Sequence, residues 1–198
     1  MDQKTINTYN ELAEEYDAET SDFWDKFPRT IIDKFTELTK GKVLNIGSGP
    51  GRDGLILRDA GLEVICLDAS EAMVKLSQER GLESIVGNFN ALPFSKDSFD
   101  GVWAYTSLLH VLKSEIKKPL SEINRVLKPG GIFLLGLIEG VNEEYCETER
   151  VTKPRWFSFY TKIEVEKLLK QSGFEIVYFE QFKPRTHTYL NFISKKIN

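Results

Sequence analysis

From about residue 40 to 138 the chain alternates short apolar runs with segments of helical periodicity. "KVLNIG" leads into "RDGLILRDAG" and "LEVICLD" into "SEAMVKLSQERG", and "LESIVG", "FDGVWAY" and "GIFLLGLI" complete five runs of strand length. Near-continuous apolar strands separated by helices belong to a parallel sheet with both faces covered, so the chain reads as an α/β protein with a doubly wound sheet. In the first helix the spacing puts Leu55, Ile56 and Ala60 on one face, with Gly61 just past the end. In the second, Ser70 is the N-cap, Ala72, Met73 and Leu76 recur at helical spacing, Arg80 sits in the last turn and Gly81 terminates it. The helix "PLSEINRVL" stops at "KPGG", since Pro129 and the glycines cannot continue it.

The flanking segments differ. Residues 1–40 read as one or two helices laid over the sheet as a lid, and residues 41–138 form the core just described. Beyond residue 140, "EGVNEEYCETERVTKPRWFSFY" is acidic and then aromatic without a period, which predicts a long substrate loop over 139–160. In "TKIEVEKLLKQSG" a capping box pairs Thr161 with Glu164, and Gly173 closes the helix. "FEIVYFEQF" and "HTYLNFISK" are strands joined by a few residues around Pro184, too few for a parallel crossover, so they pair antiparallel. Residues 1–198 are thus expected to form a single domain.

Composition narrows the function. A net charge of −4 leaves no basic excess to neutralise a phosphate backbone, which disfavours nucleic acid as a partner. The two cysteines, Cys66 in a strand and Cys146 in the loop, make neither a disulfide framework nor a metal cluster, and no metal is expected. No signal pattern or membrane-length apolar stretch is present, so the expected location is the cytoplasm, with no membrane partner.

Chemistry concentrates in "VLNIGSGPGRDG", where Gly47, Gly49, Gly51 and Gly54 follow a strand and open a helix. Such a loop lies at the carboxyl edge of the sheet, lets a ligand approach the backbone and offers unpaired N–H groups to an anion. A dinucleotide fingerprint would need glycine where Arg52 stands, which weakens a nicotinamide-dependent oxidoreductase as an alternative. Asp68 ends the second strand, 17 residues after Gly51, where a carboxylate can accept the hydroxyls of a ribose or simply start the turn capped by Ser70. Asn88 follows the third strand, where its amide can meet an adenine edge and Phe89 can wall it; a polar turn residue and a core phenylalanine are the plainer alternatives.

Taken in order at the ends of three successive strands, these features resemble the class I S-adenosylmethionine-dependent methyltransferases. "VLNIGSGPGRDG" is similar to that family's first motif, "LDASEAM" to its acidic turn, "GNFNALPFSKDSFDGVWA" to its adenine segment and "EINRVLKPGGIFLL" to its fifth-strand signature. The resemblance implies a Rossmann-like sheet of seven strands with an antiparallel last strand, and S-adenosyl-L-methionine as cofactor. It carries Gly47, Ser48, Gly49 and Gly51 onto the methionine moiety, Asp68 onto the ribose, and Asn88 and Phe89 onto adenine, with Arg52, Ala69 and Met73 also expected against the cofactor. "YNELAEEYD" resembles a segment whose tyrosines, here Tyr9 and Tyr16, close over the methyl donor. Asn45 and Asn88 replace the family's usual carboxylates, so attraction to the donor's ammonium group is expected to be weaker.

The implied reaction is methyl transfer to a small-molecule acceptor by in-line displacement, which depends mainly on orientation. If a proton must leave, His110 just beyond the fourth strand is the candidate base, with Tyr105 at the strand tip beside the methyl-transfer centre and also against the cofactor; His187 is expected to be structural. "WAYTSLLH" lacks the [DN]-P-P-[YF] sequence of resembling enzymes that hold a nucleic-acid base. Trp156, Phe157, Phe159 and Tyr160, with "DFWDKF", can wall an apolar or aromatic acceptor or pack a lid. Arg155 and Arg29 can meet an acidic substrate, although isolated arginines of this kind usually lie on solvated surface. The alternative from another class is a non-catalytic module that binds the cofactor or a partner through a degenerate site.

Overall fold

The computed structural model describes residues 2–148, 151–184 and 186–197. Its centre is a seven-stranded sheet in the order β3-β2-β1-β4-β5-β9-β8, made from β1 (Lys42–Ile46), β2 (Glu63–Asp68), β3 (Glu83–Val86), β4 (Phe99–Tyr105), β5 (Leu127–Ile138), β8 (Phe174–Phe182) and β9 (Tyr189–Lys196). The first five pair parallel, while β9 runs antiparallel between β5 and β8. The short connection around Pro184 has the consequence expected of it.

Because side chains alternate along each strand, the sheet carries a core on each face. Leu44, Ile46, Leu67, Val102, Phe133 and Leu135 pack on one side beneath α7 (Lys117–Val126) and α8 (Lys162–Gln171). Val43, Cys66, Trp103 and Leu134 pack on the other beneath α4 (Thr30–Leu38) and α5 (Arg52–Asp59). Phe35 of α4 is fully buried there against Trp103, with ring centroids 5.1 Å apart, and burial of such a ring contributes about 1.5 to 3 kcal/mol. Local signals start the helices as the sequence predicts: Ser70 Oγ accepts from the Met73 N–H at the head of α6 (Glu71–Glu79), and Thr161 with Glu164 forms the reciprocal capping box of α8.

Four expectations need correction. The N-terminal segment makes four helices: α1 (Gln3–Glu11), α2 (Ala13–Glu19), α3 (Phe23–Lys26) and α4. The α5 face against the sheet is Gly54 and Leu57, with Leu55 and Ile56 half-buried and Ala60 exposed. No helix lies between β3 and β4 among the described residues; a turn with an Asn88–Ala91 bridge joins them. The predicted loop over 139–160 contains an antiparallel hairpin of β6 (Glu143–Cys146) and β7 (Arg155–Ser158), which puts Cys146 in a strand. Thr5 and Thr8 of α1 cover the free edge of β7: Thr5 Oγ1 accepts from the Trp156 N–H at 2.8 Å, and Thr8 donates to the Pro154 carbonyl at 2.9 Å. No described helix is long and apolar enough to cross a membrane, and no described cluster of His, Cys, Asp and Glu is arranged to hold a metal.

Candidate functional site

The carboxyl ends of β1, β2 and β4 open into one cavity of about 890 Å³, roofed by α1 to α3 and walled by the β6–β7 hairpin. That volume is in the range of small-molecule sites. The glycine loop forms its floor. Gly47, at φ +61°, comes so close to Ser107 that a Cβ would sit 2.2 Å from the serine Cβ. Gly49 is also at positive φ, and a Cβ there would meet only Tyr16 Cε1 at 3.8 Å, so its missing side chain leaves a cradle open to the cavity. Gly51, in the left-handed region, is the N-cap of α5.

Asp68 stands at the end of β2, nearly enclosed. Its Oδ2 accepts from the Gly49 N–H at 2.8 Å and its Oδ1 from the Ser70 N–H at 2.9 Å. Each oxygen retains a lone pair for a hydroxyl donor. Burial raises the Asp68 carboxyl above the ordinary aspartate range, and hydrogen bonding from the backbone N–H groups of Ser70, Gly49 and Ala69 opposes that rise. Met73 and Phe89 close the same end of the cavity.

Tyr9 and Tyr16 form an edge-to-face pair, ring centroids 5.2 Å apart, and burial pushes both phenols upward so that both stay protonated. Arg52, read from sequence as a cofactor contact, lines the cavity while binding Asp17 and Thr20. Arg80 holds the other side of Asp17 at 2.7 Å, so these two arginines fasten α2 to the glycine loop and to α6. Asp53 is a residue that sequence reasoning missed: it accepts from the indole N–H groups of Trp24 at 2.6 Å and Trp103 at 2.8 Å at the cavity wall. No pattern in "GRDG" distinguishes it from an ordinary carboxylate in a first helical turn.

His110 is buried and lines the cavity. Its Nδ1 lies 2.5 Å from the Trp156 carbonyl, which can only accept, so Nδ1 carries the proton and Nε2 accepts the Tyr9 hydroxyl at 2.8 Å. Burial brings its pKa down to about 4, outweighing the Trp156 hydrogen bond, and the imidazole is neutral at pH 7. Tyr105 lines the cavity and packs on Trp24 at 4.9 Å, in space that Gly136 leaves by having no side chain. Thr106 at φ 50° is a β-branched residue held in the left-handed region at the strand tip.

Of the residues selected from sequence, Gly51, Ala69, Trp156 and Tyr160 do not line the cavity. Asn88 does not either: it is exposed, and its side-chain oxygen accepts from the Asn90 N–H at 2.8 Å. Asn45 is buried on the face beneath α5, its Nδ2 3.7 Å from where a Gly54 Cβ would be, and is not at the cavity wall. His187, Phe157 and Phe159 do reach the cavity. Arg29 is exposed beside Asp25, whereas Arg155 is buried, against the expectation of a solvated side chain.

A methyltransferase domain family matches residues 44–135. The chain is 35% identical over 62% of its length to a demethylmenaquinone methyltransferase of Renibacterium salmoninarum, of which it spans only 54%. It is 30% identical to a sarcosine/dimethylglycine N-methyltransferase of Aphanothece halophytica, over 91% of this chain and 69% of that one. A 1,6-didemethyltoxoflavin-N1-methyltransferase of Burkholderia thailandensis, solved with 1,6-didemethyltoxoflavin and S-adenosylhomocysteine bound, shares the fold at a TM-score of 0.71 and 18% identity, over 98% of this chain and 88% of that one. On this likeness the chain belongs to the class I S-adenosylmethionine-dependent methyltransferases, and S-adenosylmethionine is its cofactor.

Proposed function

We propose that the protein transfers a methyl group to a small-molecule acceptor held in this cavity, by in-line displacement. The observation that carries the reading is convergence: the bare glycine cradle, Asp68, Phe89 and the Tyr9–Tyr16 pair all border one cavity together with Tyr105 and His110. Relatives support it, since the sarcosine, dimethylglycine and didemethyltoxoflavin in their names are small molecules.

The residues fit the cofactor. The lone pairs left on Asp68 can take the ribose hydroxyls, Phe89 and Met73 can wall the adenine, and Gly47 to Gly49 can admit the methionine moiety. Bound there, S-adenosylmethionine supplies a methyl group activated by its sulfonium. The protein contributes enclosure and alignment: Tyr9 and Tyr16 cover the site from α1 and α2, and Tyr105 packs firmly enough to fix one wall. His110 is neutral and its Nε2 is already occupied, so it fixes Tyr9 and can take a proton only through that hydroxyl. An acceptor atom that is nucleophilic without a strong base suits this arrangement. The cytoplasm suits Cys66 and Cys146 as free thiols.

Incubation with tritiated S-adenosylmethionine and a metabolite extract tests the reading. Label is expected in the small-molecule fraction; label in macromolecules alone, or none in either, would overturn it.

A further inference from the structure

Arg155 is the unusual cation of this cavity. It lies at the start of β7, is only 3% exposed, and lines the volume between Tyr9 and Phe157. The other arginine and the lysine of the cavity wall are ion-paired, Arg52 to Asp17 and Lys26 to Asp22. Arg155 has no ion pair among the described residues. Among the described residues its polar contacts are long: Nη1 donates to the Tyr9 hydroxyl at 3.4 Å and Nη2 to Thr148 Oγ1 at 3.4 Å, while the buried Nε has no partner there. Thr148 Oγ1 donates at 3.0 Å to Glu19, which keeps that carboxylate one residue away from the guanidinium. The Tyr9 and Phe157 rings lie 5.5 and 5.4 Å from the guanidinium carbon, and they orient it without neutralising it.

A buried guanidinium with no ion pair among the described residues is costly unless a ligand supplies a countercharge. Its planar fork matches an oxyanion, either carboxylate or phosphate. Arg155 is carried by the hairpin that walls the acceptor end, not by the strands that present the glycine loop and Asp68. The β6–β7 hairpin also holds His110 through the Trp156 carbonyl, so the guanidinium and the imidazole are registered to each other.

We propose that Arg155 is the specificity residue for the acceptor, and that the acceptor carries an oxyanion, a carboxylate or phosphate, on an apolar or aromatic body. The inference rests on the acceptor being a small molecule, and it narrows that class. The anion pairs with Arg155 while Phe157 and Phe159 cover the body, which turns the acceptor's far end toward the glycine loop.

The test uses calorimetry in two stages on the wild type, Arg155→Gln and Arg155→Lys, with thermal melting of each. First, S-adenosylhomocysteine is titrated; wild type and Arg155→Gln are expected to bind it within threefold of each other. A tenfold loss in the variant would place the guanidinium on the cofactor carboxylate and overturn the proposal, whereas no binding to wild type would instead sink the cofactor reading itself. Second, benzoate, phenyl phosphate and neutral benzamide are titrated into the S-adenosylhomocysteine complex. At least one anion is expected to bind wild type tenfold or more tightly than benzamide, to lose that preference in Arg155→Gln and to regain part of it in Arg155→Lys; benzoate against phenyl phosphate tells carboxylate from phosphate. Equal binding of the anions and benzamide, or an anion preference that survives Arg155→Gln, would overturn the proposal. Free Arg155→Gln is expected to melt no lower than wild type, because the charge it removes has no ion pair among the described residues; a large fall in its melting temperature would mark the side chain as structural and also overturn the proposal.

Discussion

The Tyr9 hydroxyl donates to His110 Nε2 at 2.8 Å across 101 positions of sequence. This bond ties the N-terminal helices to the turn after β4, and it fixes the imidazole as the Nδ1–H tautomer facing Trp156. Tyr9→Phe removes the donor and leaves a buried acceptor unsatisfied. The expected cost is about 1 to 2 kcal/mol of stability, read as a lower urea midpoint at unchanged slope.

The same histidine sets a pH dependence. Its folded pKa, about 4, lies below the unfolded 6.5, so between those values the unfolded chain takes a proton that the folded chain refuses. Stability from this group is complete above pH 6.5 and is lost as pH falls toward 4, by about 3 kcal/mol. Asp53 and Asp68, raised by burial, act in the opposite direction. The check is therefore differential: wild type should lose about 3 kcal/mol more than His110→Gln between pH 7 and pH 4 in urea titrations.

How far the sequence could be read follows from which signals were local. The inner strands β1, β2, β4, β5 and β9 were legible because they are largely buried on both faces, and Ser70 and Thr161 announced their helices through caps. The hairpin was not, since β6 is polar and exposed and β7 is stabilised by Thr5 and Thr8 from the far end of the chain. On α5 the count of apolar side chains picked Leu55 and Ile56, whereas Gly54 faces the sheet because a Cβ there would lie 2.7 Å from Cys66 Sγ. Asp68 and Phe89 were found at the cavity by their position after strands. Asn88 followed the same rule, but its side chain closes a turn. Arg155 lay in a segment without a period, where nothing marks a buried cation.

Gly47→Ala should disrupt the floor of the site. The residue is at φ +61°, and the added carbon would lie 2.2 Å from Ser107 Cβ, so both backbone strain and a clash arise. A loss of about 2 kcal/mol or more in thermal or urea unfolding is expected, with weaker S-adenosylhomocysteine binding in calorimetry.

Asn45→Asp changes its expected meaning once the structure is known. On sequence grounds, restoring the carboxylate should tighten the cofactor. Asn45 instead lies beneath α5, away from the cavity wall, with its Nδ2 already unpaired. A carboxylate buried there should cost about 1 to 3 kcal/mol of stability and change S-adenosylhomocysteine affinity by less than about threefold. Parallel melting and calorimetry separate the two effects.

The central claim is that this cavity holds the methyl donor through the carboxylate at the end of β2. Calorimetric titration of S-adenosylhomocysteine into wild type and Asp68→Ala, both confirmed folded by melting, tests it most directly. Binding at one site per chain is expected, with a loss of tenfold or more in the variant; no heat from the wild type, or equal affinity in the two proteins, would contradict it.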